Sequence, residues 1–271
     1  MIAPVIPVQA PEESDLLTEL ASEVSATRLN TWTTCRLKFF FRYIERIESK
    51  PSPALHLGKT VHAVLQDWNL ARWKGQTLSE ELIKQVYDKN WLELQLGQEI
   101  KWDEKEQDSQ NMGWKLLQTY FQQTSIPIAE KPEGVEVLLE ADLSHLGLPR
   151  VKGVLDLVRS NGVVVDFKTT GQTPDPIKVE HQTEIQVTCY GLLYREATGR
   201  LESGFELHHL VKLKTPKVVI TPLEPITEKQ LTRLYKVMES YQEGVLREDF
   251  VPSPGMACLS CEFFNQCRQW H

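Results

Sequence analysis

The sequence predicts one α/β domain, and three patterns predict it. Helix-patterned segments fill the first half of the chain. Val- and Leu-rich segments separated by turn residues begin near residue 135, and a single helix-patterned segment interrupts them before two more follow. With 271 residues, 41% hydrophobic and 25% charged, the composition is that of an ordinary globular protein long enough for one large domain or two small ones.

Residues 1–24 combine several prolines with a short acidic run and read as a flexible lead-in to a domain over 25–271. From there the pattern is helical, with Thr27 as N-cap and Leu37, Phe40, Phe41 and Ile44 at core spacing. A second helix is expected over about 56–73. Thr77 and Glu80 form a capping box opening a helix to about residue 96, and another helix covers about 106–122. Pro127 and Pro132 close this block, so 66–130 reads as a helical lobe inserted into the domain. "VEVLLEADL", "RVKGVLDLV" and "VVVDF" are three strands of one sheet. A helix over about 183–197, strands at "FELHHLV" and "KVVITPL", a helix opened by Thr227 and Gln230, and a Pro- and Cys-rich tail over 250–271 complete the chain.

The strand "VVVDFKTT" ends in Asp166 and Lys168, charges that an apolar strand accommodates poorly. Upstream, Ser160, Asn161 and Gly162 join it to the preceding strand. A three-residue loop with Gly162 left-handed places Asp156 directly across from Asp166. Like charges facing each other at Cβ spacings of about 4.5–5.5 Å are destabilising, and a divalent cation between them removes the problem. Strand periodicity puts Lys168 on the same face as Asp166. A hairpin with a wet polar face remains open on these residues alone, as does a two-residue Asn-Gly turn that would send the two acids to opposite faces.

Three further features bear on the choice. His62 stands one helical turn after Gly58 in "LHLGKTVHAVL", partly inward, as a core histidine or a third ligand. Gln186 and Tyr190 are one turn apart in "EIQVTCYGLLY", suited to ordinary packing or to a phosphate backbone or stacked base. Cys258, Cys261 and Cys267 form a C-x-x-C-x5-C cluster that Cys35 can complete to four thiolates for zinc or an iron–sulphur centre. Cys189, inside a helix, reads as a buried free thiol.

No apolar run approaches the roughly 20 residues of a membrane span, and the N-terminus lacks the pattern of a secretory signal, so a cytoplasmic protein is expected. The net charge of −7 disfavours a surface coated with nucleic acid. It leaves room for a local groove lined by Arg36, Lys38, Arg42, Arg46 and Lys50, or by Lys212, Lys214 and Lys217. No Walker lysine loop is present, so any ATP-driven unwinding must come from a partner.

In order, G-x-x-x-H (Gly58, His62), G-x-x-D (Gly153, Asp156), D-x-K-T (Asp166, Lys168, Thr169) and Q-x-x-x-Y (Gln186, Tyr190) resemble the RecB/AddB-like branch of the PD-(D/E)XK nucleases. The one-plus-three cysteine arrangement is similar to its iron–sulphur subgroup, which includes CRISPR-associated exonucleases. The resemblance covers about 25–271. It departs at Arg36, where the family often has Pro, and at Leu155, which stands before Asp156 in place of Pro.

The resemblance implies a restriction-endonuclease-like core with a mixed central sheet flanked by helices. It also implies Mg²⁺ or Mn²⁺ on His62, Asp156, Asp166 and the Phe167 carbonyl, with Lys168 catalytic beside the two aspartates. A [4Fe-4S] cluster on Cys35, Cys258, Cys261 and Cys267, with Zn²⁺ as the alternative, and DNA contacts at Gln186 and Tyr190 follow likewise. The expected activity is exonucleolytic cleavage of single-stranded DNA or DNA ends to 5′-phosphate and 3′-hydroxyl products, in DNA repair, recombination or CRISPR adaptation, with a helicase or CRISPR adaptation proteins as partners. The alternatives are a catalytically silent DNA-end-binding subunit and a zinc-stabilised endonuclease.

Overall fold

The computed structural model describes residues 13–102 and 104–270. They fold as two compact units, a smaller one from residues 13–48, 142–151 and 233–270, and a larger one from residues 49–102, 104–141 and 152–232.

In the smaller unit, α1 (Glu13–Ser22) leads into β1 (Glu23–Val24) and α2 (Ala26–Thr34). The lead-in read from the sequence is therefore helical from residue 13, with Leu17, Leu20 and Ala21 buried; residues 1–12 lie outside the described residues. The cap of α2 is Ser25, whose hydroxyl accepts the Arg28 N–H, rather than Thr27. Cys35 then takes an extended conformation and breaks the helix before α3 (Arg36–Phe39) and a π-helical turn over Phe40–Ile44. Glu23 and Val24 of β1 pair in parallel with Arg150 and Val151, the first residues of β3.

The larger unit opens with α4 (Pro53–Trp73), capped by Ser52 with Pro53 in its first turn, where a missing N–H costs nothing. α5 (Glu80–Glu93) is capped by Ser79 rather than Thr77, and α6 (Glu106–Gln123) runs as expected. Next come β2 (Gly134–Ala141), β3 (Arg150–Val158), β4 (Val164–Thr170), α7 (Pro176–Thr198), β5 (Phe205–Val211) and β6 (Lys217–Leu223). α7 begins at Pro176 behind its cap Asp175, seven residues before the expected start. α8 (Glu228–Leu246) follows, its start fixed by the reciprocal bonds of the expected box: the Thr227 N–H to Gln230 Oε1 at 2.8 Å and the Gln230 N–H to Thr227 Oγ1 at 3.3 Å. A 3-10 turn over Met256–Ser260 and α9 (Phe264–Gln269) complete the chain.

The strand order is β3-β4-β5-β6 with β2 beside β3. β3–β4 and β5–β6 are antiparallel and β4–β5 parallel, so the sheet is mixed, as expected. One face of it meets α4, α5 and α6 in a single core: Leu57, Val61, Leu65 and Trp68 pack with Tyr87, Trp91, Leu116, Leu117 and Tyr120, and with Val165, Phe167 and Leu210 of the strands. Burying each large apolar side chain contributes about 1.5–3 kcal/mol. Residues 66–130, set aside in the sequence reading as an inserted lobe, thus share the core of the sheet.

The β3–β4 register is the one that a three-residue loop demands: Leu157 pairs with Val165 and Val158 with Val164. The Arg159 N–H is donated to Val163 O at 2.9 Å, and Gly162 has φ +79°, which an L-residue adopts only at a cost of roughly 1–2 kcal/mol. Asp156 and Asp166 lie one step beyond the last paired rung of this register, Leu157 with Val165.

Candidate active site

Alternation along β4 separates its residues by function. Val165 and Phe167 enter the core, while Asp166 and Lys168 are held by Gln186 of α7. Lys168 Nζ lies 2.8 Å from Asp166 Oδ2 and donates to Asp166 Oδ1 at 3.1 Å and to Gln186 Oε1 at 3.0 Å. The Gln186 amide donates to Asp166 Oδ1 and to the Tyr190 hydroxyl, both at 2.9 Å. The helical spacing of Gln186 and Tyr190 thus locks the amide with its oxygen toward Lys168. Tyr190 is itself buried, and that burial, with the nearby aspartates, raises its phenol above the ordinary value.

Asp156 arrives from β3. Its Oδ2 accepts the Phe167 main-chain N–H at 2.9 Å and lies 3.6 Å from His62 Nδ1 of α4. Gly58 lets α4 come this close to β4, because a Cβ at position 58 would meet Thr169 Oγ1 at 3.0 Å. Burial, and then the charge of Asp166, push the Asp156 carboxyl up to about 6.

A third carboxylate joins them that the sequence reading missed. Glu136 of β2 is pushed up to about 7 by burial and by Asp156. It sits at φ +48°, an unusual backbone conformation for a residue other than glycine. In "VEVLLEADL" the alternation of Val and Glu reads as a wet strand face. The signal that could have found it is an acid in an apolar strand, the same signal that exposed Asp166.

These raised carboxyls give the metal-free protein a pH dependence. Each binds its proton more tightly folded than unfolded, so its contribution to stability is complete near pH 4 and is lost as pH rises through about 6 for Asp156 and about 7 for Glu136. His56 and His209, both lowered by burial, act in the opposite sense near neutrality. The difference between variants isolates the acids: in EDTA, Glu136→Gln should gain thermal stability over the wild type as pH rises from 5 to 8. Parallel curves for the two proteins would exclude the assignment.

The donor chemistry fits a hard divalent cation. Among the described residues no three His, Cys, Asp or Glu side chains stand ready as a preformed metal group. Asp166 Oδ2, however, is buried and has no hydrogen bond of acceptable geometry despite the nearby ammonium, and Asp156, with His62 at 3.6 Å and Glu136 within electrostatic reach of it, offers further nitrogen and oxygen donors.

The smaller unit brings together the four expected thiols. Cys35, Cys258, Cys261 and Cys267 line one cavity of about 50 Å³ with Leu37, Phe41, Phe263 and Phe264. Burial, and then the other three cysteines, raise the Cys267 thiol. An all-sulphur set in apolar walls fits Zn²⁺ or an iron–sulphur centre, whose charge would relieve the crowding of thiolates. Cys189 is buried in α7, and burial pushes its thiol up to about 12, as expected for an inert free cysteine.

The basic sets divide. Arg36 pairs with Asp249, Lys38 and Arg42 with Glu262, and Lys50 with Glu99, so most of the first set is neutralised internally. Lys212, Lys214 and Lys217, between and at the ends of β5 and β6, have no ion-pair partner among the described residues, and the Lys212 N–H is donated to Thr170 O at 2.7 Å, two residues beyond Lys168. None of the described helices is long and apolar enough to cross a membrane.

A family model for the PD-(D/E)XK nuclease superfamily matches residues 23–268. Comparison with curated proteins gives no match. Among solved structures, the chain resembles the "Putative exonuclease" of Eubacterium rectale at 15% identity and a TM-score of 0.58, over 99% of this chain and 94% of that one. That likeness speaks to the fold. The chain aligns with SSO0001 over 96% of each chain at 16% identity and a TM-score of 0.32.

Proposed function

The chain belongs to the PD-(D/E)XK nuclease superfamily, and from that premise we propose that it is a metal-dependent deoxyribonuclease of the RecB/AddB-like branch, with residues 25–271 as its nuclease domain. It acts as an exonuclease on single-stranded DNA or DNA ends. The observation that carries this reading is the meeting of Asp156, Asp166 and Lys168 with His62 and Gln186 at the end of the β3–β4 hairpin.

His62, Asp156, Asp166 and the Phe167 carbonyl would hold one or two Mg²⁺ or Mn²⁺ ions, which supply Lewis-acid stabilisation of phosphate charge and acidify water. Lys168 presents a fixed positive charge that orients the attacking water or meets charge developing on the phosphate. Gln186 sets the distance between that charge and Asp166 by bonding both, and Tyr190 fixes which way the amide points. Gln186 and Tyr190 thereby act on DNA through the groups they orient. Lys212 and Lys214 offer unneutralised charge for the DNA backbone, so binding should weaken with salt. Hydrolysis leaves a 5′-phosphate and a 3′-hydroxyl.

Cys35, Cys258, Cys261 and Cys267 would hold a [4Fe-4S] cluster, or Zn²⁺, as a structural centre. The enzyme works in the cytoplasm in DNA repair, recombination or CRISPR adaptation, beside a helicase or adaptation proteins that supply its substrate.

The test is digestion of 5′- and 3′-labelled single-stranded DNA, and of circular single-stranded DNA, with Mg²⁺ or Mn²⁺ and with EDTA. Release of labelled short products from linear DNA alone is expected. Cleavage of circles would make the enzyme an endonuclease. Binding of ends without turnover would make it a silent end-binding subunit, and cleavage undiminished in EDTA would remove the mechanism.

A further inference from the structure

Lys168 has a neighbour on the next strand that the site described so far does not use. In the parallel β4–β5 register Lys168 stands beside His209, and Asp166 beside Leu207. Neighbouring strands lie about 4.7–4.9 Å apart, well within the reach of a lysine's four-carbon stem. His209 is only 6% exposed, and its Nδ1 is buried without a hydrogen-bond partner. Asp166 Oδ2 has the ammonium at 2.8 Å, so the buried atom left without a polar partner is His209 Nδ1, on the strand beside Lys168. Leaving such an atom buried and unpaired costs roughly 1–3 kcal/mol, so it calls for a partner in some state of the protein.

The lysine also poses a conflict. Its ammonium contacts both oxygens of Asp166, the carboxylate that a divalent cation would need. Cation and ammonium repel, so the ammonium must withdraw when the carboxylate is taken. Gln186 Oε1 keeps one of its three N–H donors, and a second acceptor is needed nearby.

We propose that His209 is a positioning residue whose Nδ1 lone pair receives the Lys168 ammonium when a divalent cation takes Asp166. This rests on the metal-dependent reading above and deepens it. No proton changes owner: an N–H···O bond to Asp166 is exchanged for an N–H···N bond to His209. The lysine then stays in the site, tethered to β5 and α7, without competing for the carboxylate. Burial lowers the pKa of His209, which favours the neutral ring this needs.

The test uses Ca²⁺ binding by calorimetry without DNA, on the wild type, His209→Leu, His209→Asn, Lys168→Met and the Lys168→Met/His209→Leu double variant. His209→Leu should weaken Ca²⁺ about 5-fold, the scale of one net hydrogen bond. His209→Asn, which keeps a polar atom near the Nδ1 position, should restore affinity to within about 2-fold. In the Lys168→Met background His209→Leu should change nothing. The ¹⁵N spectrum of the neutral ring should show the proton on Nε2. Unchanged Ca²⁺ affinity in His209→Leu, an equal penalty with and without Lys168, or a proton on Nδ1 would each overturn the proposal while leaving the nuclease reading intact. A wild type that binds no divalent cation and cleaves no DNA would overturn both.

Discussion

Asp166→Asn should give a folded protein that still binds DNA and no longer cuts it. The asparagine oxygen can accept from Lys168 and from Gln186 as the carboxylate does, so the local packing survives. What disappears is the negative charge that would hold a cation, and with it several kcal/mol of transition-state stabilisation, about 10³-fold or more in rate. Stability should move the other way. Asp166 is one of the two causes that raise Asp156, so removing its charge lets Asp156 ionise nearer the ordinary carboxylate range. In EDTA at pH 7 the variant should melt at or above the wild-type temperature. Loss of cleavage together with a lower melting temperature would point to misfolding instead, and cleavage at the wild-type rate would sink the proposed chemistry.

Cys35→Ser should produce the largest loss of stability among the cysteine variants. More than 220 residues separate Cys35 from Cys258, and the proposed metal centre shared between them would tie the break between α2 and α3 to the C-terminal tail. The entropy of closing such a loop grows only logarithmically with its length, while binding at a structural metal centre is folding free energy outright. Protein contacts also join these segments: Leu37, Phe41 and Phe263 pack together, and the Leu37 N–H is donated to Val251 O at 3.1 Å. The variant should therefore fold, melt many degrees lower, and lose bound metal. Cys189→Ala should keep its metal and nearly all of its stability. Anaerobically purified wild type should be brown if iron is bound, and colourless with zinc by elemental analysis if it is not. A metal-free wild type that melts with Cys35→Ser would remove the centre from the fold.

What the sequence disclosed follows from the range over which each signal acts. All five strands from β2 to β6 were legible because Val- and Leu-rich runs between turns are local patterns, and the β3–β4 register followed from one left-handed glycine, Gly162. Helix starts were less legible. Ser25 and Ser79 cap where Thr27 and Thr77 were expected, since several hydroxyl residues stand near each start and the winner is set by packing. α7 was expected only from about residue 183, whereas Pro176 opens it, a position where its missing N–H costs nothing. α1 was hidden by the prolines before it. Glu136 carries only the mark of an acid in an apolar strand, and His209 none at all. Each reaches the site through strand pairing, and within its own strand it alternates like any ordinary residue.

The contact between Asp156 and the Phe167 amide has a consequence for how variants are interpreted. There a side chain does the work of a main-chain acceptor just past the last paired rung of the hairpin, Leu157 with Val165. Asp156 is therefore a clasp as well as an acid, and replacing it unfastens the strand that carries Asp166 and Lys168. Lost activity in an Asp156 variant mixes chemistry with local fraying, whereas the bonds of Asp166 are all to side chains. Of the two aspartates that share this hairpin, only the second offers a clean measure of what the carboxylate contributes to the reaction.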